Sequence, residues 1–251
     1  MMFIAHRGES YDAPENTLAA INLAWQRNAD AVEVDVHLSK DDKIVVIHEN
    51  NTGKFTGELR KVKDQTLEEL QRIDVGKYKG NQWIDERIPT LEQVLVTVPD
   101  NKYLFIEIKC GAEILKELKS VTTNSKLQPA QIKLIGFDRD VMTNAKQDFP
   151  QNEVFWVNNI KQFENLNSWQ PEIARIINEA KQAGLDGLDF SASKIIDKAL
   201  VNLVKSAGMK VYVWTVNDPT EAMQLIEADV DGITTDRPQW VKAQLGNQVI
   251  G

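Results

Sequence analysis

The chain has 251 residues, of which 42% are hydrophobic and 26% are charged, a balance typical of a globular protein and not of a disordered one. Its 29 basic and 37 acidic side chains give a net charge of −8, which argues against a nucleic-acid-binding protein. The single cysteine, Cys110, excludes an internal disulfide. No stretch approaches the roughly 18 consecutive apolar residues of a membrane span.

The N-terminal run Met1–Arg7 has no basic leader, and its apolar stretch is too short for a signal peptide. We therefore expect a cytoplasmic protein. One alternative stays open, an exported form whose leader has been removed upstream of the doubled methionine.

Short β-rich apolar runs alternate with longer amphipathic helical patterns along the whole chain. Because parallel strands need crossover helices, this alternation predicts a parallel sheet. The predicted strands are, in chain order, Phe3–His6, Ala31–His37, Tyr103–Ile108, Ile132–Gly136, Val154–Val157, Asp186–Phe190, Val211–Thr215 and Asp231–Thr234. The predicted helices are Thr17–Arg27, Leu91–Val98, Ala112–Val121, Arg139–Gln147, Glu172–Ala183, Lys198–Ala207, Thr220–Glu227 and Gln239–Leu245.

Eight strand–helix units fit a closed (β/α)8 TIM barrel, in which active-site residues lie at the carboxyl ends of the strands. A doubly wound open sheet is the alternative, but it would begin with a glycine-rich phosphate turn, which the segment after the first strand is not. One gap between strands is long, after the second, and it contains the polar residues 50–86. We interpret 50–86 as an insertion over the barrel mouth, within a single domain of residues 1–251.

The second predicted strand carries polar side chains on one face. Side chains alternate along a strand, so Glu33, Asp35 and His37 share a face. Both faces of a parallel barrel strand are buried, and inward carboxylates are therefore costly unless they are paired or bound to a metal. The alternative is a strand with a solvated second face.

The third strand repeats this pattern, with Glu107 and Lys109 on one face. An internal Glu107–Lys109 ion pair without catalytic use is the simpler explanation of that strand alone. Together with Glu33 and Asp35, however, it leaves an excess of negative charge that a divalent cation would neutralise. Carboxylate oxygens suit Mg²⁺, Ca²⁺ or Mn²⁺ better than Zn²⁺.

Two of the three histidines are predicted to reach this cluster. His6 ends the first strand. His48 ends the run that follows strand two, and a hairpin with a two-residue Asp41-Asp42 loop would set His48 directly opposite Asp35. Two histidines beside carboxylates favour catalysis over a structural role.

Several residues near the predicted mouth keep two interpretations. Arg7 either binds phosphate through the paired N–H groups of its guanidinium or is a solvated surface charge. Trp214 is either a wall against an apolar part of the substrate or filler of the barrel. We interpret Asp236 as structural, and Asn16-Thr17 as the cap of the first helix.

These residues together resemble the glycerophosphodiester phosphodiesterases, and the resemblance covers essentially the whole chain. The motifs that carry it are His6-Arg7-Gly8, Pro14-Glu15-Asn16-Thr17, Glu33-Val34-Asp35-Val36, Val46-Ile47-His48, Ile88-Pro89-Thr90-Leu91 and Glu107-Ile108-Lys109, with the weaker Trp214-Thr215-Val216-Asn217 and Thr235-Asp236-Arg237-Pro238. Two departures are visible: Glu49 follows His48 where the family usually has Asp, and Lys54-Phe55-Thr56 replaces an Arg-Thr-Thr run.

The resemblance implies a TIM barrel enzyme that hydrolyses glycerophosphodiesters to sn-glycerol 3-phosphate and an alcohol. It implies an acid/base pair, one divalent cation and a phosphate-binding site. Trp214 is a further candidate for substrate contact. The implied residues are His6 and His48 for acid/base catalysis, Glu33, Asp35 and Glu107 for the metal, and Arg7 and Lys109 for the phosphate.

Three alternatives stand beside this hypothesis. A sugar-phosphate isomerase or aldolase would need a glycine-rich phosphate-binding loop after the last two strands. The segments that follow those strands in this sequence are not glycine-rich. A phospholipase-type enzyme would act on lipid, and the chain shows no evident apolar membrane-binding segment. A non-catalytic barrel would merely bind phosphodiesters. We expect a small-molecule phosphodiester as the partner, with no nucleic acid and no stable membrane insertion.

Overall fold

The computed structural model describes residues 1–166 and 168–248, so the last residues of the predicted domain, 249–251, lie outside the described part. Eight parallel strands close into a barrel, and one short antiparallel strand is added to it. The strands are β1 (Met2–His6), β2 (Ala31–Leu38), β3 (Ile44–Val46), β4 (Tyr103–Ile108), β5 (Ile132–Gly136), β6 (Glu153–Asn158), β7 (Gly187–Ser191), β8 (Lys210–Trp214) and β9 (Gly232–Thr235).

The barrel closes because β1 pairs with both β2 and β9, all in parallel. The remaining neighbours follow chain order from β4 to β9, and β4 lies beside β2. The predicted (β/α)8 barrel is therefore confirmed. The observed bounds of the eight parallel strands differ by one residue or none from most of the predicted ones.

Most helices follow the strands and cover the outside of the barrel, as right-handed βα units require, while α2 and α3 belong to residues 50–86. They are α1 (Leu18–Gln26), α2 (Gly53–Thr56), α3 (Leu67–Gln71), α4 (Leu91–Thr97), α5 (Leu115–Thr123), α6 (Arg139–Asp148), α7 (Gln170–Gln182), α8 (Lys198–Ser206), α9 (Pro219–Glu227) and α10 (Pro238–Gln248). The helix predicted over Ala112–Val121 is divided, because its first turn, Ala112–Ile114, is a 3-10 helix. No described helix is both long enough and apolar enough to cross a membrane.

Side-chain caps explain where several helices begin. Thr66 and Thr90 each accept a hydrogen bond from the backbone of the third helical residue, while Glu69 and Gln93 bond back to the cap. These reciprocal capping boxes satisfy N–H groups that the first helical turn leaves unpaired.

The barrel interior below the mouth is filled by aromatic side chains. Phe105 lies with its ring centroid 6.3 Å from that of Phe155 and 5.2 Å from that of Tyr212, and all three residues are buried. Aromatic contacts of this kind add to the stabilisation from burying their area. The barrel is a packed core, which also buries one carboxyl group, Asp189, beside Tyr212 in the middle of β7.

The predicted register of the β2–β3 hairpin is wrong by one residue. Val36 pairs with Val46, and the backbone N–H of Ile47, not of His48, donates to the carbonyl of Asp35. The loop has three residues because Asp42 takes a left-handed backbone conformation with φ 57°. Such a residue lengthens a two-residue turn by one.

Residues 50–86 form α2, α3 and three 3-10 turns between β3 and α4. They pack on a small apolar cluster of their own, which contains Val62, Leu70 and Val75 with Val45 and Ile47 of the hairpin. This packing holds the segment beside the carboxyl ends of β1 and β2.

Candidate active site

The registers of three neighbouring strands bring the predicted carboxylates together. His6 is the partner of Glu33 across β1 and β2, and Asp35 is the partner of Glu107 across β2 and β4. One oxygen from each of Glu33, Asp35 and Glu107 lies within 4.8 Å of the others. The alternation of side chains along β2, together with the register between β2 and β4, therefore produces a cluster of three inward carboxylates at the mouth.

A strained turn after β1 aims Arg7 at this cluster. Arg7 has φ 56°, and its backbone N–H donates to Oε2 of Glu33 over 3.0 Å. Gly8 follows with φ 84°, and a Cβ there would lie 2.5 Å from a backbone atom of Ala20, so only glycine fits. The Nε atom of Arg7 lies 3.1 Å from Oδ2 of Asp35.

Two further side chains hold the cluster. The ammonium of Lys109 lies 2.7 Å from Glu107 and 3.6 Å from Asp35. Asn16 donates from its amide to Asp35 over 2.8 Å and accepts the backbone N–H of the same residue. The helix cap is Thr17 alone, and sequence reasoning missed the contact of Asn16 with Asp35.

The pKa values of the three carboxyl groups diverge. Burial, with the charges of Asp35 and Glu107, raises the pKa of Glu33 well above its usual value. Burial and Asp35 also raise the pKa of Glu107. Burial acts in the same direction on Asp35, but the charges of Arg7 and Lys109 outweigh it and lower its pKa. The two neighbouring cations therefore outweigh burial and carboxylate repulsion only at Asp35.

The cluster fits a divalent cation. The Oε1 atom of Glu33 is buried, and among the described residues no group donates a hydrogen bond to it. A buried carboxylate oxygen without a partner is costly, and a bound cation would remove that cost. Three carboxylates are the oxygen donors that Mg²⁺, Ca²⁺ and Mn²⁺ prefer.

His6 is held by a residue that sequence reasoning interpreted as structural. Its Nδ1 atom lies 2.7 Å from Oδ1 of Asp236, which also accepts from the hydroxyl of Ser10. Asn217 donates to the other oxygen of Asp236 over 2.6 Å and accepts its backbone N–H. Burial alone would raise the pKa of Asp236, but the hydrogen bond and charge of His6, with the bonds from Asn217 and Ser10, lower it to about 2.

His48 follows β3 and turns toward the same mouth. Its Nδ1 atom lies 3.0 Å from Oε1 of Glu49, and about a quarter of its side chain is exposed. Its charge acts to lower the pKa values of Asp35 and Glu107, against the effect of their burial, so it lies near the cluster. The prediction that His48 lies directly opposite Asp35 is wrong, because Ile47 takes that place, but His48 still lies near the cluster. His37 lies behind it, with its Nε2 atom 3.2 Å from the carbonyl of His48.

Trp214 ends β8 and forms part of an aromatic wall with Phe137. The two rings meet edge to face with centroids 5.5 Å apart, and the ammonium of Lys109 lies 5.5 Å from the Phe137 centroid. The indole Nε1 of Trp214 is buried, and no partner for it occurs in the described ranges. The wall therefore stands beside the carboxylate cluster and offers one unused donor.

Relatives of this chain match most of its length. Residues 6–240 match the family described as the glycerophosphoryl diester phosphodiesterase family. A glycerophosphodiester phosphodiesterase of Caldanaerobacter subterraneus is 33% identical over 95% of this chain and 95% of its own length. The human glycerophosphodiester phosphodiesterase 1 is 30% identical over 85% of this chain and 71% of its own length.

Solved structures agree with these relatives. A phosphodiesterase of Oleispira antarctica, in complex with the product sn-glycerol-3-phosphate, superposes with a TM-score of 0.85 at 28% identity, covering 98% of this chain and 97% of that one. A glycerophosphodiester phosphodiesterase of Thermotoga maritima gives a TM-score of 0.76 at 26% identity, covering 97% and 98%. On this fold, this site and these matches, the chain is an enzyme that belongs to the glycerophosphoryl diester phosphodiesterase family.

Proposed function

We propose that this enzyme hydrolyses glycerophosphodiesters to sn-glycerol 3-phosphate and an alcohol, with one divalent cation and two histidines. The observation that supports it most is the buried carboxylate cluster of Glu33, Asp35 and Glu107, with a histidine on either side. The related Oleispira enzyme holds sn-glycerol 3-phosphate, and we infer the same product here.

The cation would be held by Glu33, Asp35 and Glu107. Because all three ligands are carboxylate oxygens, we infer Mg²⁺, Ca²⁺ or Mn²⁺. When bound, such an ion polarises phosphoryl oxygens and stabilises charge in the transition state. The cluster is preorganised for it, because Asn16 and Arg7 hold Asp35, and the backbone of Arg7 holds Glu33.

Arg7 and Lys109 would stabilise the phosphate of the substrate. Both are cations at the mouth, and both contact Asp35. A guanidinium matches the geometry of phosphate oxygens, while an ammonium acts as a point charge. Positive groups fixed before the substrate arrives need no reorganisation as charge develops on the phosphoryl oxygens.

The two histidines would move the protons. Because Asp236 is ionised above pH of about 2, it accepts the Nδ1 proton of His6 and leaves Nε2 to exchange a proton with the substrate. Glu49 holds Nδ1 of His48 in the same way. One histidine takes a proton from the attacking C2 hydroxyl group of the glycerol, and the other gives one to the leaving alkoxide. This gives a cyclic phosphate, which water then opens to glycerol 3-phosphate.

Trp214 and Phe137 would bound the substrate at the carboxyl ends of β8 and β5. Their edge-to-face pair offers an apolar surface to carbon atoms of the glycerol or of the alcohol. We therefore assign Trp214 to substrate contact and not to filling of the barrel.

The test is an assay with defined substrates. The enzyme is incubated with glycerophosphocholine, glycerophosphoethanolamine and glycerophosphoglycerol, with each of the three metals and with chelator, and glycerol 3-phosphate is measured. We expect its release with metal and its loss with chelator. Absence of glycerol 3-phosphate under every condition, from protein shown to be folded, would contradict the proposal.

A further inference from the structure

The ammonium of Lys54 is held in an acidic and aromatic surround at the barrel mouth. Its Nζ atom lies 2.8 Å from Oε1 of Glu15, 4.9 Å from the ring centroid of Tyr78 and 5.6 Å from that of Phe55. The two rings are tilted against each other, with centroids 5.8 Å apart. A carboxylate with two aromatic faces is an arrangement that recognises an ammonium group.

This surround is joined directly to the site. The Oε1 atom of Glu15 that contacts Lys54 also lies 3.3 Å from Nη1 of Arg7, and Nε of Arg7 contacts Asp35. The backbone N–H of Glu15 donates to the hydroxyl of Tyr78, which ties residues 50–86 to the turn after β1. The Lys54 ammonium is therefore linked to the carboxylate cluster through three successive ionic contacts, from Lys54 to Glu15, from Glu15 to Arg7 and from Arg7 to Asp35.

The charge of His48 also reaches Glu15. Burial acts to raise the pKa of Glu15, but Lys54, Arg7 and His48 together lower it. Glu15 therefore stays ionised and keeps Lys54 in place at neutral pH. Any alcohol that extends from a phosphate at the cluster toward residues 50–86 meets this lysine.

The second aromatic surface at the mouth, formed by Trp214 and Phe137, has a lysine as well. The ring of Phe137, which packs on Trp214, faces the ammonium of Lys109. An incoming cation would thus find both aromatic surfaces already facing an ammonium group of the protein. Like charges brought together at a binding site reduce the affinity for the wrong ligand.

We propose that Lys54 is a specificity-determining residue, which disfavours glycerophosphodiesters with a cationic alcohol, such as choline or ethanolamine, and favours those with an uncharged polyol, such as glycerol. This inference rests on the proposed function and specifies its substrate class. The phosphate and the ammonium of a choline ester are separated by only two carbon atoms, so a cationic alcohol cannot avoid the Lys54 charge by reaching far from the site.

The experiment compares kcat/KM for glycerophosphoglycerol and glycerophosphocholine in the metal-loaded wild-type enzyme and in Lys54→Gln. We expect the wild type to favour the glycerol ester. In Lys54→Gln the repulsion disappears and Glu15, Tyr78 and Phe55 remain, so the ratio should shift toward the choline ester roughly fivefold, the size of one partly exposed charge interaction. Added salt should reduce the preference of the wild type.

Two controls separate charge from a general effect of substitution. Lys54→Arg keeps the positive charge and should keep the wild-type preference. Lys63→Gln removes the same charge from an exposed position in the same segment and should leave the ratio unchanged.

A wild-type preference for glycerophosphocholine would overturn the inference, as would a Lys54→Gln ratio equal to that of the wild type. Hydrolysis of none of the substrates would instead contradict the proposed function, and the inference would be lost with it. Hydrolysis of both esters with no dependence on residue 54 contradicts the inference alone.

Discussion

The two ends of the barrel both bury charged side chains, but they balance the charge differently. At the amino ends of the strands, Glu153 of β6 is bonded to Lys133 of β5 and to Lys210 of β8. At the carboxyl ends, Glu33, Asp35 and Glu107 exceed the cations that contact them, Arg7 and Lys109.

The difference distinguishes charges that the protein balances with its own side chains from charges that it leaves unbalanced. We call Glu153, Lys133 and Lys210 the lower cluster, and Glu33, Asp35 and Glu107 the upper cluster. Burial acts to raise the pKa of Glu153, but Lys133 and Lys210 outweigh it and lower the pKa. The charges of the lower cluster are therefore balanced within the protein. In the upper cluster the pKa of Glu33 is raised and one of its oxygens is left without a hydrogen bond among the described residues. A buried group that its own protein leaves unbalanced is a candidate for ligand binding.

The largest expected effect concerns the histidines of the upper end. A general acid or base contributes typically about 10²–10⁴ in rate, so His6→Ala and His48→Ala should each lower kcat by about that factor. Folding should persist, because both side chains lie at the mouth and not in the aromatic layer. Near-normal turnover of either variant, with a wild-type circular dichroism spectrum, would remove that histidine from the mechanism.

The lower cluster should respond in stability and not in catalysis. Glu153→Gln leaves the buried Lys133 without its carboxylate and should lower the free energy of unfolding by about 1–3 kcal/mol, with kcat unchanged. Urea denaturation measures this change in the free energy of unfolding. Lys210→Gln, at a half-exposed side chain, is the matched control and should cost less. Equal losses in the two variants would show that burial of Lys133 does not matter.

Substitution of Asp236 is expected to affect both catalysis and stability. Asp236→Asn removes the charge that orients His6, and we expect kcat to fall roughly 10–100-fold, by analogy with supporting residues of other sites. The depressed pKa of about 2 means that Asp236 stabilises the fold fully above its unfolded pKa of about 3.8 and loses this as the pH falls through about 2. At pH 7 the variant should therefore melt at a lower temperature. A change in KM alone would contradict the assignment to His6.

The smallest expected effect is on the stability of the metal-free protein. Glu33→Gln removes a buried, repelled carboxylate and should change the free energy of unfolding by about 1 kcal/mol or less, while the rise in Tm on adding metal should shrink. Glu58→Gln, at an exposed carboxylate, should keep that rise. Strong destabilisation of metal-free Glu33→Gln would mean that the upper cluster is structural, like the lower one.

Much of the fold and of the upper cluster could be predicted from the sequence. The alternation of β2 places Glu33 and Asp35 on one face, and a barrel leaves that face no solvent, so the carboxylates had to converge with Glu107. The contact of Glu107 with Lys109 was expected for the same reason, because the two residues share a face of their strand. The single-domain assignment and the roles of these side chains stay predictions.

The contacts that sequence reasoning missed depend on loops and on barrel closure. Asp236 reaches His6 because β1 pairs with β9, with Ala5 beside Thr235, and this neighbour was available once a closed barrel was assumed. The hairpin register failed because Asp42 adopts a left-handed conformation, which Asp residues take without a clear sequence signal. Asn16 takes the same conformation, and this directs its amide to Asp35 and not to the helix.

The most direct test of the central claim is a calorimetric titration of chelator-treated enzyme with Mg²⁺, Ca²⁺ and Mn²⁺, with glycerol 3-phosphate release measured on the same samples. We predict that at least one of these metals binds at one ion per chain, that activity returns in proportion to it, and that Glu33→Gln binds far more weakly while Glu58→Gln binds like the wild type. Full activity of enzyme shown by elemental analysis to be free of metal would contradict the claim.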